Sequence, residues 1–175
     1  MRYVVVCTVK GKAGYFNNKL RKELYEKFRV KSSKLPAHFT IKAPFEYEGD
    51  ISELEYLLWD FCGKEHSQAF DLDGYNSFGE RVIYMNVIMS EEGKAMHNRL
   101  VDAMSTLEYI KFTDKDGKDK VFHVTLASKN LRSVFTEIYE YVKQIPCKFN
   151  CLFDNISIYK WEENTWVLFK EFNIQ

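Results

Sequence analysis

The sequence predicts an α+β protein of two duplicated βαβ-type lobes, two mainly antiparallel sheets lining a central cleft with helices outside. Three offsets carry that expectation. The strand-like segments beginning at Tyr3 and Val82 lie 79 positions apart, and the two His-x-Thr triplets, at His38 and His123, lie 85 apart. The helical patterns that follow them, near Ile51 and Leu131, lie 80 apart. Two similar strand, helix, strand, helix, strand runs fit those spacings, and sheets covered by helices on one face give a layered core. No Pro-, Gly- or Ser-rich linker separates the runs, so residues 1–175 are expected to form a single bilobal domain.

The elements follow in order. Tyr3 to Val9 is valine-rich and reads as a buried strand, broken by Gly11 and Gly14. Phe16, Leu20, Leu24 and Phe28 recur every four residues among charged positions, the spacing of an amphipathic helix. His38 to Pro44 is the second strand, with Pro44 helping to end it. Asp50 is the expected N-cap of a helix whose apolar face is Ile51, Leu54, Leu58 and Phe61, and Gly63 stands where a stop belongs. Phe70 to Tyr75 is a third strand.

The second series starts with a strand over Val82 to Ile88. Ser90, followed by Glu91 and Glu92, opens a helix in which Met96, Leu100 and Met104 share a face. The run Thr113 to Lys120, TDKDGKDK, is expected to be a solvated charged loop. VFHVTLAS, residues 121 to 128, is a strand, and Leu131, Val134, Phe135, Ile138 and Val142 mark the last helix. Cys147 to Ile158 and Trp166 to Phe172 read as strands on either side of a turn at Glu162 to Asn164.

Composition narrows the function. Lys plus Arg and Asp plus Glu both number 25, so the chain lacks the cationic excess that holds proteins along nucleic acid; a small phosphate ligand fits better. Cys7, Cys62, Cys147 and Cys151 form no CxxC pair, as expected of reduced buried thiols in a cytoplasmic protein without a zinc site. The apolar YVVVCTV is only seven residues long and is followed by Lys10, too short for a signal or membrane segment. Most Phe residues fall on apolar faces and are expected in the core. A monomer is the expected state.

Each half carries His-x-Thr-aliphatic: His38, Thr40 and Ile41, then His123, Thr125 and Leu126. Four His and seven Thr in this length give about 0.16 HxT triplets by chance, so two stand out. Strand alternation sends Phe39, Ile41, Val124 and Leu126 to one face and the His and Thr side chains to the other. Two imidazoles and two hydroxyls would then face each other across the cleft. Such imidazoles can share one proton at neutral pH, one acting as base and one as acid, while the hydroxyls bond the non-bridging phosphate oxygens. No metal or other cofactor is needed.

HFTIKAPF and FHVTLAS resemble the paired H-x-[ST]-hydrophobic motifs of the two-histidine (2H) phosphoesterase superfamily, which includes 2'-5' RNA ligase-like proteins and 2',3'-cyclic nucleotide phosphodiesterases. The resemblance spans nearly the whole chain. It implies that His38 and His123 are the acid–base pair, that Thr40 and Thr125 bind the phosphate, and that the substrate is a 2',3'-cyclic or 2'-5' phosphodiester of a nucleotide or RNA end. Tyr84, Tyr159 and Trp161 are the aromatic candidates for substrate binding, and Lys42, at i+4 from His38, could add charge if the strand stays regular. His66 and His97 lack the motif and are expected on the surface. The competing readings are a binding module without turnover, a 2'-5' RNA ligase and, last, a metal-dependent hydrolase.

Overall fold

The computed structural model describes all residues from Met1 to Gln175. The elements run β1 Arg2–Thr8, α1 Gly11–Phe28, β2 His38–Glu46, α2 Ser52–Lys64, β3 Gln68–Phe78, β4 Val82–Met89, α3 Glu91–Met104, β5 His123–Ala127, α4 Phe135–Lys143, β6 Lys148–Phe153, β7 Asn155–Glu162 and β8 Thr165–Asn173. One sheet has the order β2-β1-β7-β8 and the other β5-β4-β3-β6, with every pairing antiparallel. The two orders match position for position, as duplicated lobes should.

The lobes are not the two sequence halves. β3, from the first run, joins the second sheet beside β4, and the C-terminal hairpin β7–β8 returns to complete the first. The single strand expected from Cys147 to Ile158 is therefore two strands in different sheets, parted at Asp154. Glu163 and Asn164 then turn the last hairpin with φ of 46° and 62°, the twist a two-residue loop requires.

Within each strand alternation divides the faces. Tyr3, Val5, Cys7 and Val9 enter the large core, whereas Val4 and Val6 join Leu35 and Tyr159 in a small cluster on the opposite face. Phe39 of β2 joins the lobes: its ring stands edge-on to Phe70, Phe122 and Phe153, with centroids 5.5, 5.4 and 5.0 Å away. Edge-to-face aromatic pairs at that spacing add electrostatic preference to burial.

Helix boundaries follow local chemistry. Ser90 Oγ accepts the Gly93 N–H at 3.0 Å, and Met96, Leu100 and Met104 of α3 are buried as expected. The Asp50 carboxylate accepts the Ser52 N–H at 2.6 Å at the entrance to α2. That helix runs through Gly63 and ends at Lys64, since nothing there demands a left-handed residue. β2 likewise passes through Pro44, which is tolerated because β2 is a sheet edge with an irregular register at this end. No helix is long and apolar enough to cross a membrane.

Candidate active site

β2 and β5 are edge strands of the two sheets and lie in contact, which brings both HxT segments to the seam between the lobes. On β2, Phe39 and Ile41 are fully buried and His38 and Thr40 half-buried; on β5, Val124 and Leu126 are buried and His123 and Thr125 half-buried. The alternation read from the sequence thus holds in both motifs.

The two imidazoles are oriented in the same way. His38 Nδ1 lies 2.7 Å from the carbonyl oxygen of Pro36, and His123 Nδ1 lies 3.2 Å from that of Val121, in each case two residues upstream. A carbonyl only accepts, so Nδ1 carries the proton in both rings and the neutral Nε2 keeps its lone pair.

Burial pushes the His38 pKa down to about 4; the Pro36 bond opposes this, and Arg21, His123 and Lys120 add to it as nearby cationic groups. The His123 pKa is also lowered, by burial first and by Lys120, against the Val121 bond. Both shifts favour the neutral form of the rings at neutral pH.

Lys42 is a correction. Val6 pairs with Thr40 and Val5 with Lys42, so the register skips Ile41, and Ile41 and Lys42 are both buried. This bulge turns Lys42 off the histidine face. Its Nζ lies 2.5 Å from Asp116, whose carboxylate also accepts the N–H groups of Ala43 and Thr113 at 2.9 and 2.8 Å and the Thr113 hydroxyl at 3.0 Å. Burial would raise the Asp116 pKa, but Lys42 and the backbone donors outweigh it and hold it below the usual carboxylate value.

Most of the 113–120 run is solvated as expected, but Asp116 is buried and pins the loop to β2. The same loop delivers Lys120, whose Nζ donates to the main-chain carbonyl of Thr40. From the other lobe, buried Asn17 of α1 donates to the carbonyl of Thr125 at 3.2 Å. Each threonine's backbone is thus held by a side chain from the opposite run. Arg21 ties down the segment before His38 by bonding Ser32 Oγ and the carbonyls of Ser33 and Leu35. In the sequence, Lys120 and Arg21 resemble ordinary surface cations and Asn17 a polar helix residue; no local pattern marks them.

Tyr84 pairs with Thr125 across the sheet, and its ring centroid is 5.3 Å from His123; Phe78 is 4.9 Å from the same ring. Tyr159 and Trp161 lie farther along the histidine-bearing face of the first sheet, Tyr159 buried with Leu35 and Trp161 edge-on to Trp166 at 5.1 Å. His66 is exposed as expected.

His97 is fully buried, contrary to expectation, because it falls on the same stripe of α3 as Gly93, Leu100 and Met104. Its ring stands edge-on to Phe122 at 4.9 Å, and neither nitrogen has a hydrogen-bond partner.

A pocket of about 520 Å³ opens beside His123, lined by Phe78, Arg81, Asp114, Lys115 and Lys120 among others. Another, between the start of α1 and β6, contains neither motif histidine. No three His, Cys, Asp or Glu side chains gather as a metal-holding group. The arrangement supplies two oriented imidazoles, hydroxyls two residues on and unpaired cations beside them, a set that suits proton transfer at an anion.

Comparison with known proteins agrees with the architecture. TT0787 of Thermus thermophilus superposes with a TM-score of 0.68 at 13% identity, covering 99% of this chain and 98% of that one. Escherichia coli LigT complexed with 3'-AMP gives 0.60 at 14% identity, and LigT complexed with ATP gives 0.55 at 13%, each covering 99% of this chain and 98% of LigT. These likenesses show the fold. No curated protein matches the sequence. The family profile described as the 2'-5' RNA ligase superfamily matches residues 13–165, which takes in both HxT motifs and all but the ends of the bilobal fold. The chain belongs to the 2'-5' RNA ligase superfamily, among the two-histidine phosphoesterases.

Proposed function

We propose that the protein is a metal-independent phosphoesterase that hydrolyses a 2',3'-cyclic or related 2'-5' phosphodiester of a nucleotide or RNA end. The observation that carries this reading is the duplicated imidazole geometry, Nδ1 tied to the carbonyl two residues upstream and Nε2 left free, in both motifs. The two imidazoles are the acid–base pair, and the scheme is written with His38 as the base and His123 as the acid.

His38 Nε2 takes a proton from water as the water oxygen attacks phosphorus. The bond from phosphorus to one ribose oxygen breaks, and imidazolium His123 protonates that oxygen, leaving a phosphomonoester and a free hydroxyl. Thr40 and Thr125 donate to the non-bridging oxygens as charge grows there. A phosphate anion beside the imidazoles raises their pKa values and so favours the imidazolium that the acid step needs. Tyr84 borders the acid.

The test is incubation with each 2',3'-cyclic nucleotide, with and without EDTA, beside His38→Ala and His123→Ala variants. Turnover that survives EDTA and is lost in both variants supports the proposal. Nucleotide binding without turnover would favour a binding module, and loss on chelation a metal-dependent hydrolase. Since ligation also occurs in this superfamily, joining of 2',3'-cyclic phosphate and 5'-hydroxyl ends under the same conditions would identify a ligase instead.

A further inference from the structure

Arg81, Lys115 and Lys120 line the same pocket as His123, and none of the three forms an ion pair. Other cations nearby do: Lys42 pairs with Asp116, and Lys118, in the same loop as Lys115 and Lys120, with Asp102 at 2.5 Å. Asp114 is the one carboxylate in the lining. In a chain with 25 residues of each sign, this is a local cationic excess held in a concavity. Lys120 bonds a neutral carbonyl, that of Thr40, and forms no direct ion pair with a carboxylate. Phe78 and Val82 supply apolar wall, and low-dielectric walls focus such a field.

We propose that this pocket is a second phosphate subsite, with half-buried Lys120 at its inner end and exposed Arg81 and Lys115 at its mouth, so that the preferred substrates carry a further phosphate beyond the one between the histidines. The proposal rests on the two-histidine reading of the cleft and narrows it to nucleotides or RNA ends with an additional phosphate group. Arg81 can engage two phosphate oxygens at once, while the two lysines act as point charges. The ligand's second anion would complete ion pairs that the fold leaves open.

The test compares binding of adenosine 3',5'-bisphosphate and adenosine 3'-monophosphate by titration calorimetry, at low and high salt, to the wild type and to an Arg81→Gln/Lys115→Gln double variant. Both positions are exposed, so the fold tolerates the change. The wild type is expected to prefer the bisphosphate by about tenfold or more at low salt, with the preference shrinking in high salt. The ratio should collapse towards one in the double variant and recover in part in Arg81→Lys/Lys115→Gln. Equal wild-type affinities, no binding of either nucleotide, or a ratio that survives in the double variant would overturn the subsite. The readout is independent of turnover: inactivity on cyclic nucleotides with the binding ratio intact removes the enzymatic reading alone, and turnover with a ratio of one removes the subsite alone.

Discussion

His38 Nδ1 is fixed 2.7 Å from the Pro36 carbonyl, and this contact decides which nitrogen of the ring is left unbonded. It makes Nε2 the free nitrogen, as the equivalent contact does in His123. Loss of either imidazole should therefore be severe. His38→Ala and His123→Ala are each expected to lower kcat by about 100- to 10,000-fold, the range of general acid–base groups, while circular dichroism stays that of the wild type. Retention of a tenth of the activity in either variant would contradict the assignment.

The lowered pKa values set the pH dependence. In the free enzyme the form with one neutral and one protonated imidazole exists between a His38 value of about 4 and a His123 value below 6.5. The kcat/KM profile should accordingly peak on the acid side of pH 6.5 and fall about tenfold per unit above it. The kcat profile should lie to the alkaline side, because bound phosphate stabilises the imidazolium. Coincident profiles, or a flat response from pH 5 to 9, would rule out this scheme.

Lys120 depresses both histidines from its place on the Thr40 carbonyl. In a Lys120→Met variant both imidazole pKa values should rise, which two-dimensional NMR of the ring protons can follow. The kcat/KM maximum should move to higher pH, and phosphate affinity should fall. A lysine that merely packs would leave the titrations unmoved.

The Lys42–Asp116 pair is a stability element. Asp116→Ala leaves a buried ammonium without a partner and should cost about 3–5 kcal/mol in denaturant unfolding. The double change Lys42→Met/Asp116→Leu should cost far less, because it removes both charges together. Asp116 has a lowered pKa, so its contribution is full above the unfolded carboxylate value and disappears as pH falls through the folded one.

His97 makes stability sensitive to milder acid. Burial lowers its pKa to about 4; Lys120 adds to this, while Asn98, Asp116 and Asp119 oppose it. Asn98 spends its amide on Asp119, at 3.0 Å, and so leaves the ring unbonded. Between pH 6.5 and 4 the unfolded chain binds a proton that the folded one refuses, so stability falls with acidification, by about 2–3 kcal/mol for this group at the low end. His97→Leu should flatten that slope, with His38 and His123 supplying the rest, and should raise the unfolding midpoint at pH 7, since it removes two unpartnered nitrogens. An unchanged slope would show that His97 is hydrated.

The parts of this fold that depend on short-range periodicity were legible in the sequence. The HxT pair, the buried stripe of α3 and its Ser90 cap are all set by neighbours a few residues away. What depends on pairing was not. The skipped Ile41 exists only because β1 offers no partner for it, and that one residue turns Lys42 from a cleft cation into a buried one. Asp116 looks solvated inside TDKDGKDK, and only the distant Lys42 and Ala43 reveal why it is buried. The break at Asp154 is equally silent, because a change of sheet leaves no mark on local hydropathy.

The exchange of strands between the lobes also orders events in time. A chain emerging from its N-terminus has every strand of the β5-β4-β3-β6 sheet once Phe153 is out, whereas β2 and β1 must wait for residues 155 to 173 to complete theirs. The pairing of β1 with β7 joins the two ends of the chain, Val6 to Ser157, the slow kind of contact in folding. The sheet that carries His123 thus has all its strands earlier in the chain than the sheet that carries His38, which the final hairpin completes.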